Sequence, residues 1–441
     1  MTELRRELST FDLTMIAIGS TIGSGIFLTP SSIAHALPSP LWILGTWVAG
    51  GVMALSGALT FAELGAMMPR AGGVYVFLNE AYGGLAGFLY GWAYFLVVNT
   101  GGIAALAIAF STYLGFFLPL APGGIVFTAI IGILVVTLIN ILGVRAGGLF
   151  SDIFTLLKLA AIAGLILVGL TGGSPHTTDF TAASGPTGGL WSGLAVAMVG
   201  VLWSFGGWQH ATFTAAEARD PVHSIPRALI TAACVVTAVY LLTMVAYMFL
   251  LTPAQMGASD RLATDAVGSV LGPVGAGAIA LAIFISTFGT AGIYTLTAPR
   301  IYYAMAADGV FFRKVAELHP KYRTPMYAIL LQSAWAILLV LFWGTFENLI
   351  SYVVFTDWIF FALAAASVFI FRRRSSDTPR PYRTAGYPGP PLIFVLLSVW
   401  FIVNTFVEKP AQACAGLAFL ALGIPVYLLW RRRASPPAQA Q

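Results

Sequence analysis

About twelve long apolar stretches, each near the ~20 residues a helix needs to cross a hydrocarbon core of about 30 Å, divide the sequence from end to end. They run over 11–37, 41–67, 83–118, 124–142, 148–170, 190–215, 226–251, 270–298, 325–343, 349–371, 391–407 and 411–430. None keeps a period-two alternation, and only helices or closed barrels satisfy their own backbone in lipid. The expectation is an all-α polytopic membrane protein with twelve transmembrane helices. Composition agrees: 58% of residues are hydrophobic and only 9% charged, where a soluble domain carries roughly a quarter charged. So few charges could not cover a water-facing surface, and the apolar excess must face a lipid bilayer.

The basic residues set the orientation. With the N-terminus in the cytosol and twelve crossings, nineteen of the 22 lysines and arginines fall inside, Arg261 and Lys409 fall outside, and Lys158 falls within the fifth span. The positive-inside rule selects this arrangement over its inverse. Both termini are therefore expected in the cytoplasm, with the chain in the plasma (cell inner) membrane. The net charge of +5 then reflects loop placement and does not point to nucleic acid. The charged segment before the first span shows no cleavage signature, so no signal peptide is expected. Cys234 and Cys414 both lie in apolar stretches and form no disulfide or metal-spacing pattern. The histidines are scattered, and no paired His-Glu motif, phosphate loop or acidic metal cluster occurs. Enzyme chemistry and a cofactor are not expected. A channel would want a continuous polar lining, whereas the polar groups here gather at one central locus.

That locus is formed by two interrupted spans. The first contains Gly19-Ser20-Thr21-Ile22-Gly23-Ser24-Gly25-Ile26-Phe27, and the sixth contains Trp203-Ser204-Phe205-Gly206-Gly207-Trp208. Each opens a possible five-helix unit, the pattern of inverted-repeat transporters whose discontinuous helices meet at the midplane. Unwinding frees N–H and C=O groups that lipid cannot satisfy. A half-helix N-terminus suits a carboxylate, and a half-helix C-terminus suits an ammonium. A zwitterion with both groups on one carbon fits the pair. Tight packing alone would explain one Gly-rich helix; two at matching positions point to a site. Gly83, Gly87 and Gly91, four residues apart in the third span, have the spacing of close helix packing in lipid.

Ionisable residues inside spans are costly and mark function. Lys158 lies about ten residues, or about 15 Å, into the fifth span, too deep for ordinary snorkelling. Asp357 lies in the tenth span. There it could favour a polar or cationic substrate, hold a proton, or pair with a neighbour such as His210. Asp12, Glu63, Glu80, Asp152 and Glu217 sit near inner helix ends, where pairing with inner arginines is expected.

Several motifs together resemble a known family. The Gly23-Ser24-Gly25-Ile26-Phe27 break is one. Phe61-Ala62-Glu63-Leu64-Gly65, Pro69-Arg70-Ala71-Gly72-Gly73 and Asn79-Glu80-Ala81-Tyr82-Gly83 follow. Phe205-Gly206-Gly207-Trp208, Ile225-Pro226-Arg227-Ala228 and Ser286-Thr287-Phe288-Gly289 come next, and Arg380-Pro381-Tyr382-Arg383 lies near the end. In this order they resemble the amino acid–polyamine–organocation (APC) superfamily, most closely its L-type amino-acid transporter (LAT) branch in a prokaryotic form.

The resemblance implies one integral-membrane transport domain over 1–441 with a LeuT-type fold. Two inverted five-helix repeats would cover about 10–171 and 189–371, with an extra helical hairpin over about 391–430. It also implies that Ser24, Gly25 and Ile26 bind the substrate carboxylate. The carbonyls of Thr21, Trp203 and Gly206 would take the ammonium, and Trp203 would be the aromatic gate. Asp357 would border the side-chain pocket. Lys158 would occupy the place of a sodium ion found in sodium-coupled relatives, tying the fifth helix to the first and to the eighth near Ser286 and Thr287. The loop Leu118-Pro119-Leu120-Ala121-Pro122-Gly123-Gly124 lacks the cysteine with which eukaryotic members bond a heavy chain, so no disulfide-linked partner is expected. Trp203 is larger than the aromatic of many relatives, which implies small or slender substrates.

The function so implied is alternating-access transport of an amino-acid substrate, with spans one, two, six and seven rocking against the rest. Sodium-independent exchange of neutral L-amino acids, small or polar ones favoured, comes first. Proton-coupled symport, transport of cationic amino acids or polyamines, and an amino-acid-binding membrane sensor are the alternatives.

Overall fold

The first apolar stretch folds as two helices that meet end to end. A computed structural model describes residues 4–173, 189–342, 346–374, 378–408 and 410–433. Lys409 and most of the loop between the fifth and sixth stretches lie outside the described residues. Helix α1 (Thr10–Thr21) opens with a capping box. Ser9 N donates to Asp12 Oδ2 at 2.6 Å and Asp12 N to Ser9 Oγ at 3.3 Å. It ends before Ile22, and α2 (Gly25–Ala36) begins after a three-residue gap.

Helix α3 (Pro40–Met67) starts on a proline, which costs no intrahelical bond at that position. The short α4 (Val74–Tyr82) is bounded by Gly73 and Gly83 at φ 46° and 92°, a region open to glycine. The third stretch comprises α5 (Gly84–Ala93), a π-turn at Tyr94–Val98 and α6 (Asn99–Leu114). Then come α7 (Pro122–Ile141) and α8 (Val144–Gly172). The sixth stretch gives α9 (Leu190–Phe205) and a four-residue α10 (His210–Phe213). The chain continues through α11 (Pro221–Leu250), α12 (Pro253–Ala258), α13 (Leu262–Thr297), α14 (Pro299–Ala307), α15 (Met326–Phe342) and α16 (Phe346–Arg374). It closes with α17 (Gly389–Glu408) and α18 (Pro410–Arg433). No strand occurs among the described residues.

Ten of these segments are long and apolar enough to cross a membrane, counting α1 with α2 as one. The shorter apolar α9 and α15 coincide with the sixth and ninth expected stretches. Leu134 and Leu138 on α7, Leu149, Leu156 and Leu167 on α8, and Leu428 and Leu429 on α18 are exposed. Such a belt of apolar side chains is what lipid-facing helices present.

Helix α1 packs on α11, α8 and α13, while α2 packs on α9 and α12. Helix α3 runs along α11, and α6 and α8 flank α13. The last two helices pack at α3, α5 and α16, and α17 also touches α9. In the third stretch a Cβ on Gly91 would strike Met305 and one on Gly87 would press on Asn79, whereas Gly83 meets nothing. The close packing is thus at Gly87 and Gly91, and Gly83 serves as a helix terminator.

Three of the five acids expected near helix ends pair with arginine. Glu217 holds Arg300 in a fully buried bidentate pair at 2.7 and 2.8 Å. Glu63 accepts from Arg372 at 3.0 and 2.7 Å and from Thr384 N at 2.7 Å. Arg70 meets Glu80 at 2.5 Å. Asp12 and Asp152 depart from the expectation: Asp12 caps α1 and lies beside Asp152, whose Oδ1 has no hydrogen-bond partner. The chain before α1 is held to the turn after α10, with Leu8 N donating to Glu217 O and Arg219 N to Leu8 O, both at 2.9 Å.

Candidate functional site between the broken helices

The gap between α1 and α2 leaves carbonyls that the helix cannot use. Side chains of other helices take them. Lys158 Nζ, on α8, donates to Gly19 O at 2.8 Å, Ile22 O at 2.7 Å and Thr290 Oγ1 at 2.7 Å. Thr290 Oγ1, on α13, also lies 2.9 Å from Gly19 O and 3.1 Å from Ile22 O. Ser286 Oγ donates to Gly23 O at 2.9 Å. Tyr240 OH, on α11, reaches Thr21 O at 3.1 Å and Ser204 O at 2.9 Å. Lys158 is fully buried, and the three partners of its ammonium are neutral oxygens.

The second gap follows α9. Gly206 is extended and Gly207 has φ 122°, a value that a side chain rarely tolerates. A Cβ on Gly207 would overlap the backbone of Ser20 and Thr21, and one on Gly25 would overlap Ser204. The glycines therefore stand where the two interrupted helices cross at backbone contact. Ser20 Oγ lies 2.8 Å from Gly207 O, and Gln209 Oε1 accepts from Gly207 N at 2.9 Å. As the first residues of α2, Gly25 and Ile26 present N–H groups with no intrahelical acceptor. These begin against the C-terminal turn of α9.

Two small cavities flank the Trp203 indole. One, of about 10 Å³, is lined by Ser20, Thr21, Ser24, Gly25, Trp203 and Thr290 among others. The other, of about 30 Å³, is lined by Trp203, Gly206, Gln209, Asn99, Tyr294 and Asp357 among others. They are large enough for roughly one and two water molecules, so the space is closed down around the indole. Trp203 Nε1 lies 3.3 Å from Ser24 Oγ, a long contact that pins the ring between the gaps.

Thr21, Ser24, Gly25, Ile26, Trp203 and Gly206 thus meet at one place. Thr21 O already accepts from Tyr240 OH and from Gly23 N at 3.0 Å, and Trp203 O accepts from Gly206 N at 3.3 Å. Asp357 lines the second cavity, and its Oδ1 has no hydrogen-bond partner. His210 does not bond it: Nδ1 lies 2.5 Å from Thr297 Oγ1 and Nε2 lies 3.2 Å from Tyr94 OH. Ser286 reaches the first gap, but Thr287 does not, since its hydroxyl donates to Ile283 O at 2.7 Å within its own helix. The residue that joins Ser286 there is Thr290. It was legible as the polar position four residues on, on the same helical face. Tyr240, the other missed residue, had no sequence signal, because a lone tyrosine in an apolar helix marks nothing.

The sequence matches the model of the Amino acid permease family over residues 8–429. It is 30% identical to the serine/threonine exchanger SteT of Bacillus subtilis (strain 168) over 433 residues, covering 98% of each chain. It is 31% identical to the human large neutral amino acids transporter small subunit 2 over 439 residues, 97% of this chain and 80% of that one. It is also 28% identical to the mouse b(0,+)-type amino acid transporter 1 over 449 residues, 99% and 91% of the two chains. These relatives are transporters, and their similarity runs through both broken helices. With its all-α, polytopic LeuT-type architecture, this multi-pass membrane protein belongs to the amino acid permease family, in the APC superfamily.

Proposed function

We propose that the protein is a secondary transporter that exchanges neutral L-amino acids by alternating access, without sodium. The observation that carries this is the juxtaposition of the α2 N-terminus with the α9 C-terminal turn. The Gly25 and Ile26 N–H groups face a place where a carboxylate would complete them and gain the helix dipole. Carbonyls of the α9 turn lie within the same site for an ammonium, and Trp203 would move aside to admit the ligand. Asp357 would border the ligand's side chain.

Lys158 would stand where a cation otherwise bridges the first and eighth spans. It holds α1 to α8 and, through Thr290, to α13. Opening toward the side of the N-terminus requires α1 to leave α8, so breaking these bonds is part of the cycle. Helices α1, α2, α3, α9 and α11 would move as one body against α6, α8, α13 and α16. This follows the division into inverted repeats at about 10–171 and 189–371, with the 391–430 hairpin outside both. The N- and C-termini would face the cytoplasm, in the plasma membrane. No disulfide-linked heavy chain, cofactor or covalent step is required. The tightness of the space around Trp203, which must open to admit any ligand, favours small or polar substrates, and the name of the Bacillus relative supports serine or threonine.

Proton-coupled symport is the second reading. It is favoured by the neutral partners of Lys158, because loss of its proton would strand no carboxylate. Uptake of a panel of labelled amino acids into proteoliposomes tests both. Exchange predicts uptake that needs internal amino acid and ignores sodium and pH gradients. Uptake into empty vesicles driven by an inward proton gradient would select symport. No uptake of any amino acid would end the transporter reading.

A further inference from the structure

The third span does not pass the site as a regular helix. At its π-turn Asn99 N donates to Tyr94 O, five residues back, where a regular helix would use Phe95 O, four back. Inside a membrane protein a displaced carbonyl needs another donor, and three side chains serve this turn. Thr100 Oγ1 donates to Phe95 O at 2.7 Å, Trp335 Nε1, on α15, to Leu96 O at 2.9 Å, and Tyr302 OH, on α14, to Tyr94 O at 3.3 Å. Thr100 and Tyr302 are fully buried. The turn is thus held from its own helix and from two others, and single π-turns of this kind are frequent at functional sites.

Its effect shows in the cavity beside Trp203, which Tyr94, Val98 and Asn99 all line. In a regular helix Asn99 would stand about 140° round the axis from Tyr94, and the two would not face one space. The widened turn brings them together. Tyr94 OH is occupied, lying 3.2 Å from His210 Nε2 and accepting from Gln209 Nε2 at 3.4 Å. Asn99 is only half occupied. It is 1% exposed and its Nδ2 donates to Gln332 Oε1 at 2.9 Å, but its Oδ1 has no hydrogen-bond partner among the described residues. A buried amide with a bare end is costly. This one stands in the cavity that Trp203 and Gly206 also line.

We propose that Asn99, aimed by the π-turn, is a specificity-determining residue that selects substrate side chains bearing a hydroxyl; this deepens the transporter reading and rests on it. A hydroxyl both donates and accepts, so that of serine or threonine completes the free end of the amide. A methyl in the same place leaves it bare. Thr100 is a positioning residue. Its hydroxyl serves the carbonyl that the turn skips, and without it the regular ladder, with Asn99 N on Phe95 O, is favoured and Asn99 turns away from the cavity.

Uptake of L-serine and of L-2-aminobutyrate, which carries a methyl where serine carries the hydroxyl, tests this in proteoliposomes loaded with L-serine. The readout is the ratio of the two KM values, which a mere loss of stable protein does not move. The wild type is expected to favour serine about tenfold. Asn99→Leu and Thr100→Val are expected to bring the ratio close to one, and Thr100→Ser, which keeps the hydroxyl, to restore it. A ratio near one in the wild type, or one that Asn99→Leu leaves unchanged, would overturn the role of Asn99 and leave the transporter reading standing. A preference lost in Asp357→Asn but kept in Asn99→Leu would overturn it by assigning the hydroxyl to Asp357. If Asn99→Leu does not reach the membrane, the Thr100 pair decides, and equal ratios in Thr100→Val and Thr100→Ser would overturn the aiming by the π-turn. A wild type that takes up neither amino acid sinks both readings.

Discussion

The two helix interruptions are satisfied in different ways. The carbonyls of the first are taken by α8, α11 and α13, through Lys158, Tyr240, Ser286 and Thr290. The backbone groups of the second are served from close by. Gln209 folds back on Gly207 N, Ser20 of the first gap lies against Gly207 O, and Tyr240 bridges both gaps. The first break is thus bolted to the surrounding helices, while the second is bolted mainly to the first. A moving body in which α9 follows α1 needs only one set of contacts to be made and broken, and Lys158 is the centre of that set.

Lys158→Ala tests this difference most severely. It removes three charge-assisted bonds and leaves Gly19 O and Ile22 O, in a dry interior, to the hydroxyls of Thr290 and Ser286 alone. Exchange is expected to fall about a hundredfold, a barrier increase of about 2.7 kcal/mol, while the amount of protein in the membrane falls much less. Unchanged flux would remove Lys158 from the cycle.

Gly207→Ala attacks the crossing of the two gaps. The added methyl meets the Ser20 backbone at a φ that disfavours any side chain. A stability loss of about 2 kcal/mol is expected, read as a lowered unfolding temperature in detergent, together with loss of binding. A variant as stable as the wild type would show that the gaps do not touch as described.

Thr290→Val and Thr287→Val form a matched pair four and one residues beyond Ser286. The first removes the hydroxyl between Lys158 and Gly19 O and is expected to slow exchange about fivefold, in line with one hydrogen bond of ~1 kcal/mol. The second removes a bond within α13 and should leave exchange within about twofold. Equal effects would contradict the assignment of Thr290 over Thr287. Asp357→Asn carries the smallest expected effect on rate. Its readout is the ranking of substrates in the uptake panel, and an identical ranking would count against a role in specificity.

Much of this architecture was legible in the sequence. Twelve apolar stretches and two glycine-rich interruptions are one-dimensional signals, because lipid demands length and a broken helix demands glycine. What escaped was mostly what depends on partners distant in the chain. The π-turn at Tyr94–Val98 leaves no mark in an apolar run. The eighth span starts close to where the apolar pattern put it, because Gly272 at φ 61° breaks the backbone ahead of Pro273; what the pattern did not mark is the short helical segment over 262–271 that precedes the kink. The sixth stretch was read as one full crossing, yet beyond its break it holds only the four-residue α10 and a 3₁₀ turn. Lys158 announced itself by its depth, whereas Thr290 and Tyr240 acquire meaning only once α13 and α11 lie against the first gap.

The claim beneath all of this is that the facing helix ends grip both charged groups of one amino acid. Competition for bound, labelled L-serine by its amide and by its N-acetyl derivative addresses it directly. Both blocked forms are expected to fail where unlabelled L-serine displaces the label fully. Displacement by either blocked form as effective as by serine itself would mean that these helix ends do not hold the ligand.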